Sequence, residues 1–287
     1  LTPEQLGDKH KLDLNLLDAR LTEIQAHRPI THVDLYGGEI GILPSEYQEG
    51  LYSTIRQSYT GRINVVTNLL RLFPLMEKSD IDLSVSYDFQ FRERHEVVLH
   101  NMRNLTKPIH VLILATPDVM TLPVSEMIAT LNTIPALHSV EIKPYSTNQA
   151  NQYSTSHLDY ERFIQQWITS TTPKQFVFSN ELDVRRAITG NRNAFSDDHL
   201  YITPQGTFAV LEFDLNDNEF FRPVSYDQYV EWTLTEKAKA FSNPICGGCE
   251  YLGRCLTEHL RDVKSREHSC NGYYNLIQWY KNERLEG

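Results

Sequence analysis

The stretch Thr31-His-Val-Asp-Leu-Tyr-Gly-Gly38, THVDLYGG, decides how the rest of the chain is read. A short run carrying Val33 and Leu35 and ending in two glycines reads as a buried strand that closes on a tight turn. Ahead of it, Leu14, Leu17, Leu21 and Ile24 recur at helical spacing; behind it, Pro44 opens a second candidate helix with Tyr47, Leu51 and Ile55 on one face. The same helix-then-strand rhythm continues. RINVVTN (62–68), DIDLSVS (80–86), IHVLILA (109–115), HSVEIKP (138–144) and KQFVFS (174–179) carry the strand signal, separated by candidate helices around Val97–Met102, Ser125–Leu131 and YERFIQQWI (160–168). Parallel strands need crossovers and are buried on both faces, so the alternation predicts an α/β fold with a mainly parallel sheet.

After about residue 180 the rhythm changes. HLYITPQGTFAVLEF (199–213) holds two short strand candidates around Gln205-Gly206, a turn suited to an antiparallel hairpin, and SYDQYVEWTLTEKAKAF (225–241) reads as a helix leading to Cys246. The expected division is therefore residues 1–180 as the main α/β domain and 181–287 as a small α/β appendage.

That appendage holds all four cysteines of the 287-residue chain, Cys246, Cys249, Cys255 and Cys270, spaced Cys-x2-Cys-x5-Cys-x14-Cys. Cys-x2-Cys lets two thiolates approach one metal from a tight turn, and Gly247 and Gly248 permit backbone that a side chain would hinder. Four thiolates suit tetrahedral zinc or a cubane of four irons, and ligand count does not choose between them; unliganded or redox cysteines are the third reading. His259, four residues after Cys255, is a further candidate ligand, although four cysteines suffice. With 40% hydrophobic residues the chain can bury a large core. Its net charge of -10 disfavours an extensive nucleic-acid interface. No apolar run reaches membrane-span length and no signal peptide opens the chain, so a cytoplasmic location without a membrane partner is expected, where clustered cysteines point to metal before disulfides.

The second chemical signal is Gly37-Gly38-Glu39 at the end of the THVDLYGG strand. Carboxyl ends of strands form the usual ligand crevice of an open α/β sheet, adjacent glycines expose backbone groups, and Glu39 offers an acceptor to a substrate ammonium; a plain turn followed by a solvated acid is the competing reading. No G-x-G-x-x-G or G-x-x-x-x-G-K-[ST] phosphate cradle occurs in a strand-to-helix setting, so an ordinary nicotinamide or nucleotide-triphosphate enzyme lacks support.

Taken in order, DLYGGEIGIL (34–43), INVVTN (63–68), IDLSVSYD (81–88) and CGGCEYLGRC (246–255) resemble the radical S-adenosylmethionine enzymes that carry a SPASM or twitch extension. The resemblance covers nearly the whole chain and implies a partial (β/α)6 barrel-like parallel sheet with a small C-terminal α/β iron-sulfur extension. It implies that Gly37, Gly38 and Glu39 hold the methionyl end of S-adenosylmethionine, with Thr67, Asn68, Ser86 and Asp88 at the neighbouring strand ends contacting the same cofactor. It also implies one auxiliary [4Fe-4S] cluster on Cys246, Cys249, Cys255 and Cys270. The inner of the two clusters of a full SPASM domain is expected to be absent, because the 199–213 hairpin has no cysteine and His259 stands where the family has one.

One departure stands out. The family's Cys-x3-Cys-x2-Cys loop, which ligates a catalytic [4Fe-4S] cluster upstream of the GGE motif, does not occur in this sequence, which begins with Leu1 and not Met. The expectation is that this loop lies in an N-terminal segment ahead of Leu1. The family mechanism implies a 5'-deoxyadenosyl radical that abstracts hydrogen from substrate, a reducing electron-transfer protein as partner, and a peptide substrate in ribosomal peptide maturation. The alternatives are oxidation or rearrangement of a small molecule such as an amino acid or sugar, or a noncatalytic cluster-bearing interaction protein. Arg92, Arg94 and His95 are candidates to face an acidic substrate, with Tyr87 near the cofactor end. Glu141 and Lys143 either line the barrel mouth or pair with each other.

Overall fold

A computed structural model describes residues 11–145, 155–214, 218–257, 263–266 and 268–285. The chain divides into two compact units, one of Leu12–Lys143 with Ser170–Ser179, the other mainly of Pro144–Thr169 with Asn180–Gly287. Residues 144–169 thus group with the later unit.

The first unit is an alternation of helix and strand. Helix α1 (Leu14–His27) starts where the Asp13 side chain accepts from Asn15 N at 2.8 Å, satisfying one of the donors a helix start leaves open, and buries Leu17 and Leu21. Then follow β1 (Val33–Leu35), α2 (Ser45–Ser58), β2 (Ile63–Thr67), β3 (Ile81–Ser86), α3 (His95–Asn104), β4 (Ile109–Ala115), α4 (Val124–Leu131), β5 (Leu137–Pro144) and, after a helix of the other unit, β6 (Val177–Phe178). The six strands lie in the order β1-β2-β3-β4-β5-β6. The pairs β1 with β2, β2 with β3, β3 with β4 and β5 with β6 are parallel. Each crossover adds its strand beside the last one, the progression of a barrel, whereas a doubly wound sheet reverses direction at a switch point.

Register explains the two faces. Ile63, Val65 and Thr67 pair with Ile81, Leu83 and Val85, and Leu83 and Val85 pair with Ile109 and Val111. All the apolar members of this set are fully buried. At roughly 1.5–3 kcal/mol for each large apolar side chain withdrawn from water, this face dominates the sheet's stability. The opposite face is mixed: Asn64, Asp82 and His110 share it with Val66, Leu112 and Leu114, and its Ser84 and Ser139 are buried. Asn64 Nδ2 donates to Asp34 Oδ1 at 2.6 Å, Ser84 Oγ donates to Asn64 Oδ1 at 2.8 Å, and His110 Nδ1 lies 2.7 Å from Ser139 Oγ. The period-2 pattern of IDLSVS already contains the polar positions Asp82 and Ser84, whereas IHVLILA has only His110 as a polar residue on that face.

The second unit contains α5 (His157–Thr169), α6 (Ser179–Thr189), the antiparallel sheet β7 (Tyr201–Ile202), β8 (Phe208–Phe213) and β9 (Glu219–Val224), α7 (Tyr226–Ser242) and α8 (Tyr274–Tyr280). The predicted turn is in place: Gly206 takes φ +73° and Thr203 N donates to Thr207 O at 2.9 Å. Strand β9 is an addition to the sequence expectation; its Pro223 is tolerated because β9 is an edge strand. Helix α7 opens with a reciprocal cap, Gln228 N donating to Ser225 Oγ and Ser225 N to Gln228 Oε1. No helix among the described residues is long and apolar enough to cross a membrane.

Candidate functional site

At the carboxyl end of β1 the chain turns through Gly37, whose φ of +121° suits only glycine, and a Cβ built on Gly37 or Gly38 would meet nothing within 4 Å. The open backbone leads directly into Glu39, which caps a 3-10 turn at Ile40–Ile42. Its carboxylate reaches across to β2. Oε1 accepts from Thr67 Oγ1 at 2.7 Å and Gly41 N at 3.1 Å, and Oε2 accepts from Asn68 N at 2.7 Å. A carboxylate has about four acceptor positions, so one, on Oε2, is left. Glu39, Thr67 and Asn68, separated by nearly thirty residues in sequence, therefore form one hydrogen-bonded group.

The next turn holds that group in place. Thr67 Oγ1 also accepts from Leu69 N at 2.9 Å, Asn68 Oδ1 accepts from Leu70 N at 3.0 Å, and Asn101 Nδ2 donates to Leu69 O at 2.8 Å. Leu69 is fully buried at φ +51°, a left-handed conformation that costs a non-glycine residue roughly 1–2 kcal/mol and persists because these contacts over-determine it. Gly41 is equally constrained, since a Cβ there would stand 2.9 Å from the Phe73 ring and 3.1 Å from Glu39 Oε1.

Ser86 ends β3, one residue beyond the partner of Thr67. No described residue hydrogen-bonds its hydroxyl. Asp88 is committed elsewhere: Oδ1 accepts from Leu114 N at 2.9 Å and Oδ2 from Arg92 at 3.1 Å, joining the ends of β3 and β4. Burial raises the Asp88 carboxyl above the ordinary range, with the Leu114 amide and Arg92 opposing. Arg92 is thus Asp88's partner, Arg94 sits at φ +58° ahead of α3, and His95 is the first residue of that helix. Tyr87 is buried, and desolvation pushes its phenol up to about 12. Glu141 and Lys143 form an ion pair at 2.8 Å.

The cysteine site is built from turns. Asn243 Oδ1 accepts from Ile245 N and Cys246 N, and its amide donates to Val263 O. Cys249 N donates to Cys246 O, Leu252 N to Cys249 O and Leu256 N to Gly272 O. Gly253, at φ +79°, lets its carbonyl accept from Ala194 N, so the 190–195 segment closes over the loop. Cys255 and Cys270 meet at Gly272, where a Cβ would lie 2.8 Å from Cys255 Sγ and 3.7 Å from Cys270 Sγ. All four cysteines are free thiols of intermediate exposure. Desolvation first, then the neighbouring Cys270 and Cys249, pushes the Cys255 thiol up to about 11, with Thr257 N–H and Arg192 opposing; burial likewise raises Cys270. Among the described residues no three or more His, Cys, Asp or Glu side chains converge as they would around a metal ion. His259 lies outside the described residues.

No protein-family profile and no curated protein matches the chain. Solved structures do. Native anSMEcpe with bound AdoMet aligns with a TM-score of 0.64 at 12% identity, over 96% of this chain and 90% of that one. A histidine-tagged anSMEcpe with bound AdoMet aligns at 0.58 with 11% identity over the same shares. This chain shares that fold. The likeness takes in both the six-stranded parallel sheet and the small C-terminal α/β extension expected from sequence. Sequence reasoning missed Gly41, Asn243, Gly272 and Arg192. Of these only Asn243, standing before Pro244, carries a local turn signal.

Proposed function

We propose that this chain is the core and extension of a radical S-adenosylmethionine enzyme, binding that cofactor at the carboxyl ends of β1–β3 and an auxiliary [4Fe-4S] cluster on Cys246, Cys249, Cys255 and Cys270. The observation that carries the reading is the Glu39 carboxylate, oriented in advance by Thr67 and Asn68 beside the open Gly37-Gly38 backbone, in a fold that two AdoMet-bound structures share. The residues fit the cofactor. Glu39 keeps one acceptor position for a methionyl ammonium, Gly38 leaves its backbone approachable, and the Ser86 hydroxyl is available to a polar group of the same ligand. Orientation is fixed before binding, so little freedom is lost on association. Asp88 acts by joining the β3 and β4 ends on which Ser86 stands. S-Adenosylmethionine supplies the radical that abstracts hydrogen from an unactivated carbon, chemistry beyond ordinary side chains. No cysteine precedes Cys246, so residues 1–287 do not themselves fit a catalytic cluster in the sheet unit.

The cysteine loop fits a cluster by its donor set, and the absence of a Cβ at Gly272 lets the Cys255 and Cys270 thiols approach the same turn. A single tetrahedral zinc draws its sulfurs to roughly 3.8 Å of one another, as follows from a zinc–sulfur bond of about 2.3 Å. A cubane holds them apart by the width of its inorganic core. For the substrate we infer a peptide, supported by the resemblance of the cysteine extension to those of peptide-modifying enzymes; a mass change in a short peptide encoded beside the gene, dependent on S-adenosylmethionine, tests it. The cofactor assignment is tested by equilibrium dialysis of S-adenosylmethionine against anaerobically prepared protein. Saturable binding that Glu39→Gln weakens at least tenfold is expected, and absence of binding to the unaltered protein overturns the assignment.

A further inference from the structure

Arg192, like Arg254, turns its guanidinium onto backbone carbonyls, but of the two only Arg192 reaches the carbonyl of Cys255 itself. In the same unit Arg185 pairs with Glu181, Arg186 with Asp183 and Arg222 with Glu212. Arg192 pairs with no described carboxylate. Its guanidinium is turned onto three successive carbonyls of the cysteine loop: Nη1 donates to Cys255 O and, at 3.0 Å, to Thr257 O, while Nη2 donates to Leu256 O at 3.5 Å. Two further bonds complete the brace: the Asn271 side chain, through Nδ2, donates to the buried Thr257 hydroxyl at 2.6 Å, and the Leu256 backbone N donates to Gly272 O. Two physical consequences follow. The carbonyl dipoles of residues 255–257 are directed at a cation, and a half-buried positive charge that pairs with no described carboxylate hydrogen-bonds the backbone carbonyl of Cys255. A [4Fe-4S] centre with four thiolates carries net negative charge, and adding an electron deepens it, so a fixed neighbouring cation favours the reduced state.

We propose that Arg192 is a positioning residue and the counter-cation of the cysteine site, bracing the Cys255–Thr257 backbone and raising the reduction potential of the cluster held there. The inference rests on the reading that the four cysteines hold an iron-sulfur cluster. No bond forms or breaks in the step concerned; one electron enters the centre from a chemical reductant.

The test is a reductive titration followed by electron paramagnetic resonance, with iron and sulfide measured per chain, on the anaerobically reconstituted protein and its Arg192→Gln, Arg192→Lys and Arg254→Gln variants. Arg254 is the control, a nearby cation that donates to Ile188 O and Glu250 O and lies over the Tyr251 ring. The expected result is a tenfold weaker one-electron reduction in R192Q, a midpoint lower by about 59 mV, with iron retained. R192K should recover most of that shift, and R254Q should move the midpoint by less than half as much. An unchanged midpoint in iron-loaded R192Q, or equal shifts in R192Q and R254Q, overturns the proposal. Should R192Q fail to hold iron, R192K decides: iron with a near-native midpoint supports the assignment, and loss of iron there as well overturns the role of the charge. An unaltered protein without iron refutes the cluster reading itself, and the role of Arg192 with it.

Discussion

The strand-end site and the cysteine loop solve the same problem, presenting a few groups at fixed positions, by opposite means. Around Glu39 the functional carboxylate is itself the hub, accepting from Thr67, Asn68 and Gly41. In the cysteine loop the functional thiols make few of the bonds. Asn243, Gly253, Arg192 and Asn271 instead hold the backbone that carries them. A carboxylate that accepts three hydrogen bonds is stable as it stands, whereas desolvated thiols held close together resist ionisation, in line with the rise of Cys255 to about 11. The first site is therefore ordered by its own network, whereas ionising the second set of thiols is costly without a compensating cation.

The largest expected effect breaks that difference open. Cys255→Ala should lower iron from about four per chain to less than one. Because metal-binding energy is folding energy for such a loop, residues 246–257 and 268–280 should lose hydrogen-exchange protection. The amides of Val65 and Val111 in the sheet should keep theirs. Equal loss in both regions would show that the two sites are not built independently.

Next in size is Glu39→Gln, which leaves approximate shape but replaces one acceptor oxygen with a donor facing Thr67 or Asn68. With bonds to charged groups worth about 1.5–3 kcal/mol each, denaturant unfolding should show a loss of about 3 kcal/mol. Thr67→Val retains the carboxylate and should cost about half as much. The glycines sharpen the contrast further. Gly272→Ala places a methyl 2.8 Å from Cys255 Sγ and should cost about 1–3 kcal/mol together with iron, while Gly38→Ala, with open space around it, should leave stability within about 0.5 kcal/mol and weaken cofactor binding alone.

The smallest effect is on the acid side of pH. The hydrogen bond from Arg62 holds the Asp82 carboxyl below its ordinary range. Its contribution is present above the unfolded aspartate pKa and lost as pH falls through the folded value. Since Arg62 is 57% exposed, screening limits this to less than about 1 kcal/mol, and Asp82→Asn should flatten that part of the stability profile.

Periodicity made the sheet legible. Strands β1–β5 and their crossovers follow from alternating or helical spacing, and Gly206 marked the β7–β8 turn. What escaped lacked such a pattern: SNELDVRRAIT buries only Val184 and Ala187, α8 is seven residues long, and β9 carries Arg222 and Pro223. At the site, the order of short motifs brought Gly37, Gly38, Glu39, Thr67 and Asn68 into view. It did not show that Glu39 would bind Thr67 directly, nor that Asp88 would be consumed by Leu114 and Arg92. Arg192 was illegible for a similar reason: it acts on Cys255, 63 positions away, through backbone carbonyls that every residue possesses.

The central claim, that the prepared carboxylate receives S-adenosylmethionine, is tested most directly by calorimetric titration of that cofactor into the anaerobically reconstituted protein beside its Glu39→Gln and Thr67→Val variants. The predicted result is saturable binding, weakened at least tenfold in E39Q yet within about threefold of native in T67V, although both variants are less stable. Equal affinity in E39Q and the unaltered protein would contradict it.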